Sequence, residues 1–471
     1  MTCSATRAVR IGWPAAVVLL AGCAAVGPDY QPPEWHEPAA AVPQIEGHAP
    51  QDNELASWWH AFNDPTLTRL IRQGLIDNRT LDAARYGVSE ARARLRLSRS
   101  GLLPMLDAGG ANTRFRNSDT AGAPGSGDLY HLGFDAQWEL DIFGGRRRAV
   151  EAARADWEAE WVAEEGVWVS LAAEIATHYV TLRTDQERLR VARDNLKLQA
   201  ETAQILESRF ETGIGDKLAV EQAHYQLEGT RALIPSLLRD LEATRNALAV
   251  LVGAMPGEAD AALDAPGPIP AALPRALAAV PAELLRRRPD IRAAERRLAA
   301  ETARIGEAQA ARYPAFRIDG ALGLESLASG SLLTSGSRFT TAGAGITLPI
   351  FRGGAIRANI EIQNARQEQA LARYEVTVLT AVAEWRDALA AYGHEHARRE
   401  ALVKAAVAAR AAEEIARDLY ANGLIDFNSV LDTQRARLTF DEAVAGSEGA
   451  IARNLIRAYK ALGGGWAAVE E

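Results

Sequence analysis

Cysteine is nearly absent from this 471-residue chain, which has only Cys3 and Cys23, both near the N-terminus. A disulfide scaffold and a cysteine zinc site further along the chain are therefore excluded. An excess of basic residues is also lacking, because the net charge is -9 and the pI is about 5.6. This charge disfavours a nucleic-acid binder. No apolar run of about 18 residues follows the first 25 positions, so no later transmembrane helix is predicted.

Catalytic and cofactor-binding motifs are missing as well. The chain has no H-E-x-x-H, G-x-S-x-G or P-loop pattern, and Gly213-Ile214-Gly215 lies between predicted helices rather than after a strand. His394 and His396 are two positions apart on a predicted helix, so they do not share a face and are predicted to be solvated. With only three methionines, a lining for soft metals is disfavoured. We predict no enzyme, no metal site and no cofactor.

The N-terminus has the pattern of an export signal that ends in a lipidation site. A short apolar run, Ile11 to Leu20, follows two arginines and is too short to span a bilayer. It leads into Leu20-Ala21-Gly22-Cys23, which is a lipobox. We predict that residues 1–22 are a lipoprotein signal peptide, that Cys23 is acylated, and that residues 23–45 form an extended leash. The alternative is an ordinary signal peptide with an incidental cysteine.

The remaining chain is an internal duplication. Phe210-Glu211-Thr212-Gly213 matches Tyr420-Ala421-Asn422-Gly423 at an offset of 210 residues. Ile142-Phe143 matches Ile350-Phe351 at an offset of 208, which indicates that two residues were lost within loops.

Each repeat is predicted to contain a short helix, two strands and a long helical hairpin. The first repeat is predicted at 46–255, with strands near 105–117 and 129–142 and a hairpin at 145–252. A Pro- and Gly-rich linker is predicted at 256–281. The second repeat is predicted at 282–465, with strands near 315–325 and 338–350 and a hairpin at 354–462.

The clearest strand pattern is Tyr130 to Ile142, where apolar and polar residues alternate without a break. A sheet of a soluble protein with one solvent-exposed face would show this alternation. Outer-membrane strands of about ten residues show it too, with the apolar side facing lipid. Two long Ser- and Gly-rich loops, 117–128 and 326–337, suit an external surface and favour the membrane interpretation.

Four strands cannot close a barrel, and an open sheet edge is not tolerated in hydrocarbon. The smallest closed barrels have about eight strands. Membrane strands would therefore require an oligomer, and a conducting pore favours three chains, with twelve strands, over two chains.

The helices after the strands are unusually long and carry a seven-residue apolar repeat. In the first repeat these positions are Trp161, Trp168, Ile175, Leu182, Leu189, Leu196, Ala203 and Phe210, and in the second they are Leu371, Val378, Trp385 and Tyr392. This period predicts left-handed supercoiling, and about 65 helical residues make a rod of about 100 Å. A coiled-coil stalk is the alternative.

Each long helix reverses at a short turn, Gly213-Ile214-Gly215-Asp216 or Gly423-Leu424-Ile425-Asp426. Glycine suits the left-handed position after a helix, and each Asp can cap the next helix. A ring of these carboxylates could also narrow a pore and bind cations. Asp426, and with weaker support Asp216, are therefore pore-constriction candidates.

Another motif is predicted to be architectural. In Trp58-Trp59-His60-Ala61-Phe62-Asn63-Asp64-Pro65, the acid is a good N-cap and the proline suits the first helical position. The helix that begins there would bury Leu67, Leu70, Ile71 and Leu75.

Together these motifs resemble the TolC/OprM/NodT family of outer-membrane efflux channel lipoproteins. The resemblance rests on Cys23 with Val26-Gly27-Pro28-Asp29-Tyr30, the Trp58–Leu67 motif, Arg287-Arg288-Pro289-Asp290-Ile291 and both glycine turns. It implies a mainly α protein with a membrane β-barrel, in which a duplicated α/β unit forms a homotrimer. The trimer would have a twelve-stranded barrel in the outer membrane above a long periplasmic α-helical barrel.

The resemblance also implies partners. The helical tips would meet a periplasmic adaptor that links the channel to an inner-membrane RND transporter, with Gly213, Ile214, Gly215, Gly423 and Leu424 as contact candidates. The family pattern has an acid two residues after the second turn glycine. Here that position is Ile425, and the acid follows at Asp426.

The predicted function is therefore a passive outer-membrane conduit for drugs or other small toxic compounds, lipid-anchored and extending into the periplasm. Two alternatives remain open. One is a conduit for type I protein secretion, and the other is a lipid-anchored coiled-coil stalk that forms no channel.

Overall fold

The computed structural model describes residues 25–33, 55–118, 120, 125–258, 261–272 and 287–464. Cys23, most of the predicted leash and part of the predicted linker lie outside the described residues. The described chain forms two compact units. The first contains residues 25–33, 293–375 and the described parts of 87–161, and the second contains residues 55–86, 376–464 and the described parts of 162–292.

Helices dominate the described chain, as predicted. The helices are α1 (Pro65–Asp77), α2 (Arg79–Ser100), α3 (Gly145–Glu211), α4 (Lys217–Leu251), α5 (Ala261–Asp264), α6 (Pro289–Ala310), α7 (Ala355–Ala421) and α8 (Phe427–Ala461). The strands are β1 (Met105–Arg116), β2 (Ser126–Leu140), β3 (Ala315–Ser326) and β4 (Arg338–Thr347). Short 3-10 helices occupy Trp58–Phe62, Ser329–Ser331 and Ser335–Ser337. Among the described helices, none combines the length and apolarity needed to cross a membrane.

The long helices α3 and α7 have 67 residues each and contain no proline. They are rich in Ala, Glu, Arg and Leu, which are strong helix formers. The predicted heptad on α3 is buried at its centre, where Ile175 and Leu182 are inaccessible. At its ends, Trp161 and Phe210 remain 52% and 44% exposed. The stripe is therefore covered within the chain only along its middle.

The duplication is regular in three pairs of helices and one pair of strands, whereas β2 and β4 begin 212 and end 207 residues apart. The helices α2 and α6, the strands β1 and β3, the long helices α3 and α7, and the returning helices α4 and α8 each begin and end 210 residues apart. The match of Ile142-Phe143 with Ile350-Phe351 has an offset of 208 residues, which is two less than the offset of these helices and strands. Both dipeptides lie in loops, where no ladder or helix enforces the offset.

The four strands form one antiparallel sheet in the order β1-β2-β3-β4, so β2 and β3 join the two repeats. The strand bounds differ from those predicted at two places. β2 occupies Ser126–Leu140 rather than 129–142, because the N–H of Ile142 turns back to the carbonyl of Leu140 at 2.9 Å. β4 ends at Thr347 rather than at 350, because Thr347 is paired with Ala315, the first residue of β3.

The core of the second unit is built around the aromatic motif before α1. Trp58 is 1% exposed and stacks on Tyr459 with ring centroids 5.4 Å apart. Trp59 and Phe62 meet Trp58 edge to face. This aromatic group holds the start of α1 against the last turn of α8.

The predicted cap at Asp64 is confirmed. Its Oδ1 accepts hydrogen bonds from the N–H groups of Thr66 at 2.8 Å and Leu67 at 3.0 Å. Its Oδ2 accepts one from the Tyr179 hydroxyl at 2.8 Å. Burial raises the pKa of Tyr179 to about 12, so the hydroxyl stays protonated and can donate. The predicted apolar positions of α1 are buried, namely Leu67, Leu70, Ile71 and Leu75.

Candidate functional site

One face of the sheet is apolar across both central strands. Directly opposed residues of an antiparallel pair share a face. The opposed pairs are Leu132 with Leu324, Phe134 with Leu322, and Trp138 with Ile318. Phe134 and Leu322 are 49% and 56% exposed. An exposed apolar patch of this kind on a sheet is typical of strands that face lipid.

The opposite face is polar. Asp135 lies opposite Asp107 on β1, and Glu139 lies opposite Arg317 on β3. Two carboxylates directly opposite each other repel unless water solvates them. This face therefore suits water, whereas the opposite face of the central strands suits an apolar environment.

Aromatic residues lie at the end of the sheet that leads into the helices. The indole N–H of Trp138 donates to the carbonyl of Leu102 at 3.0 Å. The ring of Phe143 stacks on Tyr313 with centroids 4.6 Å apart. Aromatic side chains with one apolar and one polar end are typical of a membrane–water interface.

The two glycine turns have the same geometry. Gly213 and Gly423 have φ angles of 77° and 72°, the left-handed region that favours glycine. The N–H of Ile214 donates to the carbonyl of Arg209, and that of Leu424 to Leu419. These bonds form a Schellman motif at the end of each long helix. Ile214 is 83% exposed and Leu424 is 70% exposed, so each turn presents an apolar side chain to its surroundings.

Both turn carboxylates cap the following helix, as predicted. Asp216 accepts from the N–H of Leu218 at 3.0 Å. Asp426 accepts from the N–H of Ser429 at 3.0 Å and from its hydroxyl at 2.9 Å. Both Asp side chains are exposed. Each carboxylate therefore caps a helix and is still accessible to solvent.

The tip cluster holds the two turns together. It consists of the buried residues Ala203, Leu206, Ala219, Val220, Ala223, Ala416, Phe427, Val430 and Leu431. Around it, Gln222 donates to Asn428 at 2.9 Å and Arg435 donates to Gln226 at 2.9 Å. Arg209 donates to the carbonyl of Ala421 at 3.2 Å. The fold thus places Asp216 and Asp426, from different repeats, at one end of a shared helical bundle.

Arg148 binds the segment after the lipobox, and the sequence did not single it out. Its side chain is 5% exposed. It donates to the carbonyls of Val26 at 3.1 Å and Gly27 at 3.2 Å, and to Asp29 at 2.7 Å. A Cβ on Gly27 would lie 2.3 Å from Gly306 Cα, so the segment fits only with glycine there. Residues 26–29 are therefore docked at the start of α3.

The motif around Arg288 is structural. This buried guanidinium donates to Asp290 at 2.7 Å, to Glu384 at 2.8 Å and to the carbonyl of Ala461 at 2.9 Å. Thus it joins the start of α6 to α7 and the end of α8. His394 and His396 are both exposed, as predicted. In the described part of the chain, no three His, Cys, Asp or Glu side chains are grouped so that they could hold a metal ion.

Comparisons with known proteins agree with this geometry. The family model described as "Outer membrane efflux protein" matches residues 70–254 and 280–464, which are the two repeats. The chain is 31% identical to the probable outer membrane lipoprotein SilC of Salmonella typhimurium, over 96% of this chain and 97% of SilC. It is 33% identical to the toluene efflux pump outer membrane protein TtgF of Pseudomonas putida, over 95% of each chain.

A solved structure is similar over almost the whole chain. The outer-membrane channel OprN superposes with a TM-score of 0.87 at 35% sequence identity. The match covers 94% of this chain and 99% of OprN.

Proposed function

Because the chain belongs to the outer membrane efflux protein family, we propose that it is the outer-membrane channel of a tripartite efflux system. It is a passive conduit that carries small toxic compounds to the exterior. The observation that carries this function is the sheet, whose two central strands together have one apolar face and one polar face. A similar protein is named for toluene efflux, which fits export of small organic compounds.

The channel is a homotrimer. In the described chain, β1 and β4 are the two edges of a four-stranded sheet. An unpaired edge within hydrocarbon leaves several backbone groups without partners, which is costly. Three copies supply twelve strands, enough to close a barrel that encloses water rather than side chains alone.

The helical tips meet a periplasmic adaptor, which connects the channel to an inner-membrane RND transporter. Ile214 and Leu424 are the exposed apolar anchors of this contact. Gly213, Gly215 and Gly423 allow close backbone approach around them. The transporter supplies the energy for export.

The lipid anchor on Cys23 sits at the membrane interface. Cys23 precedes Ala25 by two residues, so the two Cα atoms can be at most about 7 Å apart. The next residues are held by Arg148 and by a hydrogen bond from the N–H of Val26 to the carbonyl of Phe143 at 3.0 Å. Phe143 lies between β2 and α3, where the apolar sheet ends. The acyl chains would therefore enter the bilayer beside the barrel.

Replacing Cys23 by Ser is expected to abolish acylation and leave the trimer intact, because the strands insert without the lipid. Metabolic labelling with palmitate measures the first effect, and native electrophoresis of the outer-membrane fraction measures the second. Loss of the trimer together with the label would show that the anchor is required for assembly.

Replacing Asp426 by Asn is expected to raise single-channel conductance and lower the preference for cations, because a ring of three charges is lost from the narrow end. Asn caps a helix as well as Asp does, so the fold should be unaffected. Asp426→Ala removes both the charge and the cap and should cost about 1 kcal/mol in addition. Planar-bilayer recordings of purified trimers measure both the conductance and the cation preference.

The matched control is Asp432→Asn, which removes an exposed carboxylate further along α8. Its conductance should equal that of the parent. Unchanged conductance of Asp426→Asn in correctly assembled trimers would remove Asp426 from the constriction. The same recordings on Asp216→Asn test the second candidate.

Electron microscopy of detergent-purified particles tests the channel itself. A hollow particle with threefold symmetry and a detergent belt at one end is the expected result. A solid or monomeric rod without a belt would exclude the channel and leave the lipid-anchored stalk.

A further inference from the structure

The apolar face of the sheet contains a hollow of about 640 Å³. Its walls come from positions that share this face, because Ala108 lies opposite Phe134 and Gly110 lies opposite Leu132 in the ladder. Small residues on β1 beside large ones on β2 and β3 leave the space open. The residues of these three strands that form its apolar walls are Ala108, Gly110, Leu132, Phe134, Leu322 and Leu324.

The floor of the hollow is backbone. Gly133 and Gly323 lie directly opposite each other beneath it. A Cβ on Gly133 would lie 2.8 Å from the carbonyl oxygen of Leu322, and one on Gly323 would lie 2.4 Å from that of Leu132. Glycine within a strand allows another backbone to approach this closely. The ladder therefore fixes the floor, and the hollow exists before any ligand binds.

The aromatic residues of β2 give the depth of the hollow in the membrane. Tyr130 and Trp138 are on the apolar face and eight residues apart, which is about 27 Å along a strand. Outer-membrane strands have an apolar band about 25 Å tall with aromatic residues at both borders. Leu132, in the wall of the hollow, is two residues from Tyr130. The hollow thus lies just below the border at which β3 turns into β4.

Arg338, the first residue of β4, stands at the rim of the hollow. It lies opposite Leu324, so it is on the apolar face, and it is exposed. Its guanidinium forms no ion pair or hydrogen bond with any residue that the structure describes. Arg114, on the same face of β1, instead pairs with Asp128 at 2.9 and 3.1 Å.

The position of Arg338 calls for an anion. A cation on the lipid side of a barrel is costly unless it reaches the polar border or meets an opposite charge. A guanidinium matches the geometry of a phosphate group and can bind it through two parallel hydrogen bonds. Arg338 lies at the border where lipid headgroups begin, with an apolar hollow directly beneath it.

We propose that Arg338 and the hollow together bind one phosphorylated lipid of the outer leaflet, with the phosphate on Arg338 and an acyl chain in the hollow. This inference rests on the membrane channel proposed above, because it requires the apolar face to meet lipid. Free phosphate would leave the apolar hollow unfilled. A lipid with a cationic group beside its phosphate would bind less well, because that group repels the guanidinium.

Native mass spectrometry of detergent-purified full-length trimers tests the headgroup contact. The probes are phosphatidic acid, which has a phosphomonoester, and phosphatidylcholine with the same acyl chains. We expect the parent to bind up to three molecules of phosphatidic acid at least several-fold more tightly than phosphatidylcholine. Arg338→Gln should abolish this preference, and Arg338→Lys should keep part of it. The matched control is Arg317→Gln, which removes an arginine from the polar face and should keep the full preference.

Gly110→Leu tests the acyl contact, because it fills the hollow without changing the charge. A Cβ at this position would lie 3.5 Å from Leu132 Cδ1, an ordinary contact, so the strand should tolerate the substitution. We expect both lipids to bind several-fold more weakly. Unchanged lipid binding by Gly110→Leu, together with displacement of phosphatidic acid by millimolar inorganic phosphate, would indicate an anion site alone and overturn the proposal.

Planar-bilayer recordings on the same preparations separate this proposal from the channel. Conducting trimers that bind both lipids equally overturn the lipid site and leave the channel in place. The same conclusion follows if the preference survives Arg338→Gln, or if Arg317→Gln abolishes it too. A parent protein that neither conducts nor binds either lipid overturns both proposals.

Discussion

Phe134→Arg is expected to reduce stable outer-membrane trimers strongly, whereas Asp135→Arg is expected to be tolerated. Phe134 is on the apolar face of the sheet and Asp135 is on the polar face. A cation on the lipid face near the bilayer midplane costs about 2–4 kcal/mol. In the proposed homotrimer this cost arises three times. The yield of folded trimer in the outer-membrane fraction, compared on native gels, measures the effect.

The neighbouring substitution is a sharp control because it adds the same side chain one residue away. Asp135 faces Asp107, so Arg at 135 replaces a repulsion by an attraction across the strands. Equal trimer yields for the two variants would mean that neither face meets lipid. A larger loss for Asp135→Arg would mean that the faces are assigned the wrong way round.

Trp58→Ala is expected to destabilise the second unit by about 3–5 kcal/mol, the usual cost of removing a fully buried large aromatic side chain. Trp58 is 1% exposed and contacts Trp59, Phe62 and Tyr459. Its loss opens a cavity between the start of α1 and the end of α8. Thermal melts followed by the helical circular-dichroism signal, at one scan rate, should show a much lower midpoint.

Trp58→Phe is the matched variant. It keeps a ring that can stack on Tyr459, so it should lose clearly less stability than alanine does. The strands belong to the first unit, so detergent should still bind to the apolar face of the sheet in this variant. A melting midpoint for Trp58→Ala equal to that of the parent would refute the role of this aromatic group in holding the unit together.

Much of the fold could be predicted from local patterns. The alternation around β2 predicted a strand with one apolar face, and the glycine turns predicted where α3 and α7 end. Asp64 could be identified as a cap because its hydrogen bonds are made within three residues along the chain. Periodicity and capping depend on neighbours in sequence, so the sequence carries their signal directly.

Contacts between distant residues could not be predicted in this way. Arg148 is one of three consecutive arginines at the start of α3, and nothing in that run marks it as the one that binds residues 26–29. The bond from Tyr179 to Asp64 spans 115 positions. Neither has a periodic signal, because each depends on how the packed helices bring unrelated segments together.

The sequence alone indicated an exported, duplicated chain with amphipathic strands and long heptad helices, and its motifs carried the resemblance to one family. Tertiary structure decided the register. The Ile-Phe match indicated an offset of 208, whereas the ladders and helices keep 210. A loop motif can shift by two residues at little cost, but a ladder must pair every backbone group in step. Only the assembled sheet could therefore show where β4 ends, and which residues remain open to a second copy.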